Sequence, residues 1–175
     1  MADHVDSILE DWRRERPDLD PSPMGVFGRI TRVYSLAHRR LEALLAPYQL
    51  TPASFDVLAN LRRAGPPYRR TPSELASSSM LTSGGMTGRL DKLEQHGLIT
   101  RVPTRSDRRV MYAQLTDRGK ELIDEVVCAH LDQEEKMLVG LSGQQRRMLA
   151  SALAELEQCI LAVQAPTQSD DAVKS

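Results

Sequence analysis

Between residues 80 and 110 the chain concentrates groups that bind polyanions. Thr82, Ser83 and Thr87 offer hydroxyls, Gly84 bares the backbone, Lys92 adds a cation, and Arg105, Arg108 and Arg109 crowd around Asp107. Hydroxyls at the start of a helix can reach base edges or phosphates in a major groove. An arginine on a narrow ribbon can enter a minor groove and sense its width and potential. Asp107 would then orient Arg109. Arg62, Arg63, Arg69 and Arg70 are further phosphate candidates. Residues 61–110 carry a charge of +6, against −4 over residues 1–23 and −5 over residues 111–175, within a total of −1. Charge alone fits a nucleic-acid reader and a solvated basic loop equally, because partners respond to local patches and not to totals.

Covalent chemistry has no comparable set of residues. His4, His38, His96 and His130 are scattered, no glycine-rich phosphate loop follows a strand, and no carboxylate pair has a neighbour that would tune it for acid-base work. Cys128 and Cys159 stand far apart without a histidine pair, so neither a disulfide framework nor a zinc site is expected. The sequence therefore predicts no catalytic residue, no metal and no cofactor. Hydrophobic residues make up 41% and charged residues 27%, the balance of a soluble globular protein. No stretch approaches the roughly 20 apolar residues of a membrane helix, and the acidic N-terminus is unlike a secretion signal. A cytoplasmic protein with no membrane partner is expected.

The elements that must position these groups are nearly all helical. Val5, Ile8, Leu9 and Trp12 form one apolar stripe on a helix within residues 1–17, stopped by Pro17. Ser22 is expected to cap a long helix with Pro23 at its first position, running over residues 24–47 with Ile30, Val33, Ala37, Leu41, Leu44 and Leu45 inward. Thr51 and Pro52 open a third helix carrying Phe55, Leu58 and Leu61. Thr71 and Pro72 open a fourth, with Glu74 placed for a capping box and Leu75 inward. Residues 82–96 form a fifth with the stripe Met86, Leu90 and Leu93, and Gly97 ends it. The last two make a helix-turn-helix. Gly84, Gly85 and Gly88 each cost about 1 kcal/mol relative to alanine in a helix interior, which makes sense where backbone must approach DNA.

Residues 99–103 and 110–115 are β-prone around the basic turn TRSDRR and predict a hairpin, the wing. Thr116 caps the next helix, with Ile123, Val126, Val127, Leu131, Met137 and Leu138 along it. Ser142 and Gln145 box the last, which carries Met148, Leu149, Ala152, Leu153, Leu156, Ile160 and Val163. Those stripes exceed what a small winged module can bury. The expected fold is mainly α (α+β): a winged helix-turn-helix over residues 51–115, a helical dimerisation bundle from residues 24–47 and 116–164, and a polar, disordered tail over residues 166–175.

Arg89 lies at the edge of the inward stripe, where a guanidinium needs a carboxylate. Asp56 on the third helix is the best candidate, with Asp91 and Glu94 facing solvent. An anionic small molecule competing for Arg89 and repelling Asp56 would shift the recognition helix and lower DNA affinity by its differential binding energy.

The run TPSELASSSMLTSGGMTGRLDKLEQHGLI, residues 71–99, with RVPTRSDRRVMYAQLTDRGKEL, residues 101–122, resembles the MarR family of bacterial transcription regulators. The resemblance rests on the Glu-Leu-Ala of the support helix, the Leu-Glu-x-x-Gly-Leu-Ile exit from the recognition helix, the Asp-x-Arg of Asp107 and Arg109, and the Leu-Thr-x-x-Gly entry into the next helix. It implies a homodimer binding pseudo-palindromic double-stranded DNA, usually a repressor. The chain is also similar to the family's urate-responsive subgroup, whose tryptophan on an extra N-terminal helix, aspartate and recognition-helix arginine fall on Trp12, Asp56 and Arg89. Where the subgroup has a further asparagine this chain has Ala64, so the expected effector widens to urate or another aromatic or polycarboxylate anion. Two alternatives are a regulator sensing oxidation at Cys128 or Cys159, and a winged-helix protein-interaction module without DNA binding.

Overall fold

A computed structural model describes residues 3–78, 85–103 and 111–163. Its helices begin where local chemistry satisfies the first free N–H groups. Asp3 opens α1 (His4–Glu15): its carboxylate accepts from the N–H of Val5 and Asp6, while the Asp6 carboxylate accepts from the N–H of Asp3. The long α2 (Ser22–Leu45) departs from expectation, because Pro21 holds the cap position and Ser22 is already helical. The reason is Asp20, which accepts both the Ser22 N–H at 2.9 Å and the Ser22 hydroxyl at 2.7 Å, and so does the capping one step upstream. A 3-10 turn (Ala46–Tyr48) leads to α3 (Pro52–Arg63), capped by Thr51.

The short α4 (Pro72–Ser78) starts on a reciprocal box in which Thr71 Oγ1 accepts from the N–H of Glu74, and Glu74 accepts from the N–H of Thr71. Next comes α5 (Met86–Gln95). It begins later than expected: Gly85 is its cap, in the left-handed region at φ 78° that L side chains avoid, and so is not an interior helix residue. The hairpin forms from β2 (Ile99–Pro103) and β3 (Met111–Leu115), paired antiparallel with Ile99 opposite Leu115 and Pro103 opposite Met111. A third strand was not anticipated. The two-residue β1 (Arg69–Arg70) pairs with the other edge of β3, giving the order β1-β3-β2. Thr116 caps α6 (Asp117–Leu138), and α7 (Gly143–Ala162) opens on the Ser142–Gln145 box.

The chain divides into two compact units, Met1–Gln133 and Glu134–Ser175. In the first, Leu45, Leu58, Leu61, Leu75, Leu93, Ile99, Ile123 and Val126 are fully buried, each stabilising by roughly 1.5–3 kcal/mol. Arg29 on α2 holds α1 in place, donating to Asp3 at 3.0 Å, to Asp6 at 2.6 Å and to the Gly25 carbonyl at 3.0 Å. The start of α6 lies so close to the wing base that a Cβ on Gly119 would stand 1.9 Å from the Leu98 carbonyl oxygen. In the second unit Arg146 grips Glu135 at 2.7 Å and the Leu138 carbonyl at 2.9 Å, and α7 buries no residue. Among the described residues no helix is long and apolar enough to cross a membrane.

Candidate nucleic-acid interface and effector site

Thr87 and Lys92 stand exposed on α5, where they can meet a duplex. Thr82, Ser83 and Gly84 before that helix, and Arg105, Asp107, Arg108 and Arg109 in the wing turn, lie outside the described residues. Beneath Thr87 is a cavity of about 390 Å³, lined also by Thr71, Ser73, Arg101 and the apolar Leu90 and Met111. Arg101, on β2, binds Asp91 at 2.5 Å and Glu94 at 3.5 Å. Both carboxylates were expected to face solvent. Both remain partly exposed, and the wing base neutralises these two negative charges on α5.

Several arginines proposed as phosphate contacts have partners within the protein. Arg62 donates to Asp124 on α6 at 2.5 Å and lies over the Tyr68 ring at 5.1 Å. Its hydrogen bond holds the Asp124 carboxyl below the ordinary carboxylate range, while partial burial opposes the shift and Lys120, at 3.4 Å, assists it. Arg69 lies over the Tyr112 ring at 4.6 Å, and Arg70 Nε is buried with no hydrogen bond among the described residues. These two form β1, whose pairing with β3 dictates where their side chains go. The sequence held no sign of it, because a two-residue strand is below the length at which alternation can be recognised.

Trp12 on α1 is 41% exposed, Arg89 on α5 is half-buried, and Asp56 on α3 is buried at 9% exposure. Asp56 and Arg89 lie on helices that pack together, whereas α1 packs on α2 and α2 on α3. The expected ion pair is not formed: among the described residues no hydrogen bond or ion pair engages the Asp56 carboxylate. One turn on, Asn60 is 1% exposed, and its amide group bonds to Ser78 Oγ at the end of α4, Nδ2 at 2.9 Å and Oδ1 at 3.2 Å. Sequence analysis missed Asn60, although a lone amide four residues from Asp56 in an otherwise apolar stripe was a usable sign. Ala64 follows the last turn of α3 as its C-terminal cap. Cys128 and Cys159 are free and exposed on α6 and α7.

A support helix, a second helix behind a left-handed glycine and a three-stranded wing together define a winged helix-turn-helix, the architecture of a major-groove DNA reader. Residues 48–110 match the model of the MarR family. The chain is 41% identical over 153 residues to the HTH-type transcriptional regulator PecS of Dickeya dadantii, spanning 87% of this chain and 92% of PecS. It belongs to the MarR family: a DNA-binding transcription regulator and not an enzyme. Its fold matches AbsC of Streptomyces coelicolor with a TM-score of 0.72 at 24% identity, covering 83% of this chain and 98% of AbsC. It matches BpsR of Bordetella bronchiseptica, whose DNA binding is regulated by 6-hydroxynicotinic acid, with a TM-score of 0.68 at 21% identity over 75% and 92%.

Proposed function

We propose that the protein is a homodimeric repressor of pseudo-palindromic operators, released by a small aromatic or polycarboxylate anion such as urate. The observation that carries the effector half is Asp56, a buried residue whose carboxylate has no hydrogen-bond or ion-pair partner among the described residues, on a helix packed against the helix that bears Arg89. An anion that takes Arg89 and repels Asp56 binds the two arrangements of α3 and α5 unequally, and only such a difference can shift the DNA-binding equilibrium. Trp12 supplies an aromatic face for the same ligand. The effector named for BpsR, an aromatic carboxylic acid, supports an aromatic anion. Base-edge and phosphate contacts fall to Thr82, Ser83, Gly84, Thr87 and Lys92. In the same reading Arg105, Arg108 and Arg109 contact the backbone and minor groove, with Asp107 orienting Arg109.

The apolar side chains left exposed on α2 (Val33, Tyr34, Leu36) and α7 (Met148, Leu149, Leu153, Ile160) support covering by a second copy. The testing experiment is a gel-shift titration against DNA from the protein's own upstream region, repeated with urate, 6-hydroxynicotinate and citrate. The parent releases DNA with at least one anion. Arg89→Ala loses that release and perturbs DNA binding, whereas Arg109→Ala binds DNA at least tenfold more weakly with effector affinity unchanged. An Arg89→Ala variant that responds like the parent overturns the effector reading.

A further inference from the structure

We propose that the Asn60–Ser78 hydrogen-bonded pair is the positioning link by which the state of Asp56 is passed from α3 to the helix-turn-helix; this rests on Asp56 being the effector-sensitive group. Asn60 Nδ2 donates to Ser78 Oγ, and that hydroxyl gives its single proton either to Asn60 Oδ1 or to the Glu74 carbonyl, which it also meets. In both arrangements the buried amide keeps its bond. Withdrawing it would strand an unsatisfied amide in the core, so the end of α4 has to follow α3.

The position of the pair gives this constraint its direction. Asp56 and Asn60 are one turn apart and share a side of α3, so a displacement of α3 at Asp56 is a displacement at Asn60. Leu58, Leu61, Leu75 and Leu90 also join α3 to the helix-turn-helix, but apolar contact is non-directional and lets helices slide. A hydrogen-bonded pair fixes register. The Arg62–Asp124 ion pair and the Phe55–His130 ring contact lead instead from α3 to α6 and away from the reading helices. Ser78 is the last residue of α4, directly before the segment that enters α5.

The test is a double-mutant cycle on DNA affinity in the absence of effector, using a duplex selected for binding from a random pool. Asp56→Asn, Ser78→Ala, their combination and Ser78→Thr are compared by fluorescence anisotropy, with thermal melts to establish that each variant folds. Asp56→Asn is expected to change the parent's Kd at least fivefold. In the Ser78→Ala background the same change falls below twofold, and in the Ser78→Thr background, which keeps the hydroxyl, it returns. Equal factors in the parent and Ser78→Ala backgrounds, or no effect of Asp56→Asn in either, overturn the link. A titration with urate, 6-hydroxynicotinate and citrate separates this from the effector reading. A non-additive cycle with no anion response retains the link and removes that reading; an additive cycle with parent and Ser78→Ala released alike by one of these anions does the reverse.

Discussion

Arg62 and Asp124 show how a single side chain can leave one role for another. A cation next to a helix-turn-helix suggests phosphate, yet its carboxylate partner lies 62 residues along the chain, beyond the reach of any local pattern. The pair has a pH signature. Hydrogen bonding to Arg62 lowers the Asp124 pKa, so the stability it brings is present above the ordinary carboxylate range and is lost as pH falls through the lowered value. Asp124→Asn should therefore melt below the parent at pH 7 and converge with it in acid, as read from melting temperatures across that range. An offset that persists at the acid end would mean that the carboxylate contributes through packing and not through charge. Asn60 was missed for a related reason: a lone amide in an apolar stripe signals burial, but its partner Ser78 lies 18 residues away, outside that stripe.

At the scale of elements the sequence was far more transparent, because helix starts are written locally. Thr51-Pro52, Thr71-Pro72 with Glu74, and Ser142 with Gln145 all cap helices as their residue types require. The failures have equally local causes. Asp20 pre-empts Ser22, Gly85 shortens α5 from its front, and β1 is too short to announce itself. At the junction of wing and α6 the two backbones approach closely. There Thr116 donates its N–H to the Leu98 carbonyl at 3.1 Å and its hydroxyl to the Gly97 carbonyl at 2.8 Å, and Gly119 closes on Leu98. Gly119→Ala forces a methyl into that carbonyl, and a loss of about 3 kcal/mol is expected. Urea titration should lower the midpoint with an unchanged slope. Gly140→Ala, where a Cβ meets nothing within 4 Å, serves as the control and should cost nothing.

For the whole molecule, the apolar stripes that no element of their own unit covers lead to an expected mass in sedimentation equilibrium of twice 19.6 kDa. Leu149→Glu with Leu153→Glu on α7 should shift that mass to the single-chain value while the far-ultraviolet helical signal persists. A monomeric parent would remove the two-copy operator reading. Sequence periodicity made this surplus of apolar surface visible but could not say what covers it, since one chain contains only half of such a contact. The Gly119–Leu98 closure then acquires a consequence for the DNA. Two half-sites one helical turn apart require two reading heads, each a recognition helix with its wing, whose recognition helices stand about 34–36 Å apart. A joint with no room for a methyl group cannot serve as the adjustable hinge that sets this distance. Relatives that read operators with longer or shorter spacers should therefore differ further along α6 or in α7, with the wing and the first turn of α6 inherited as one casting.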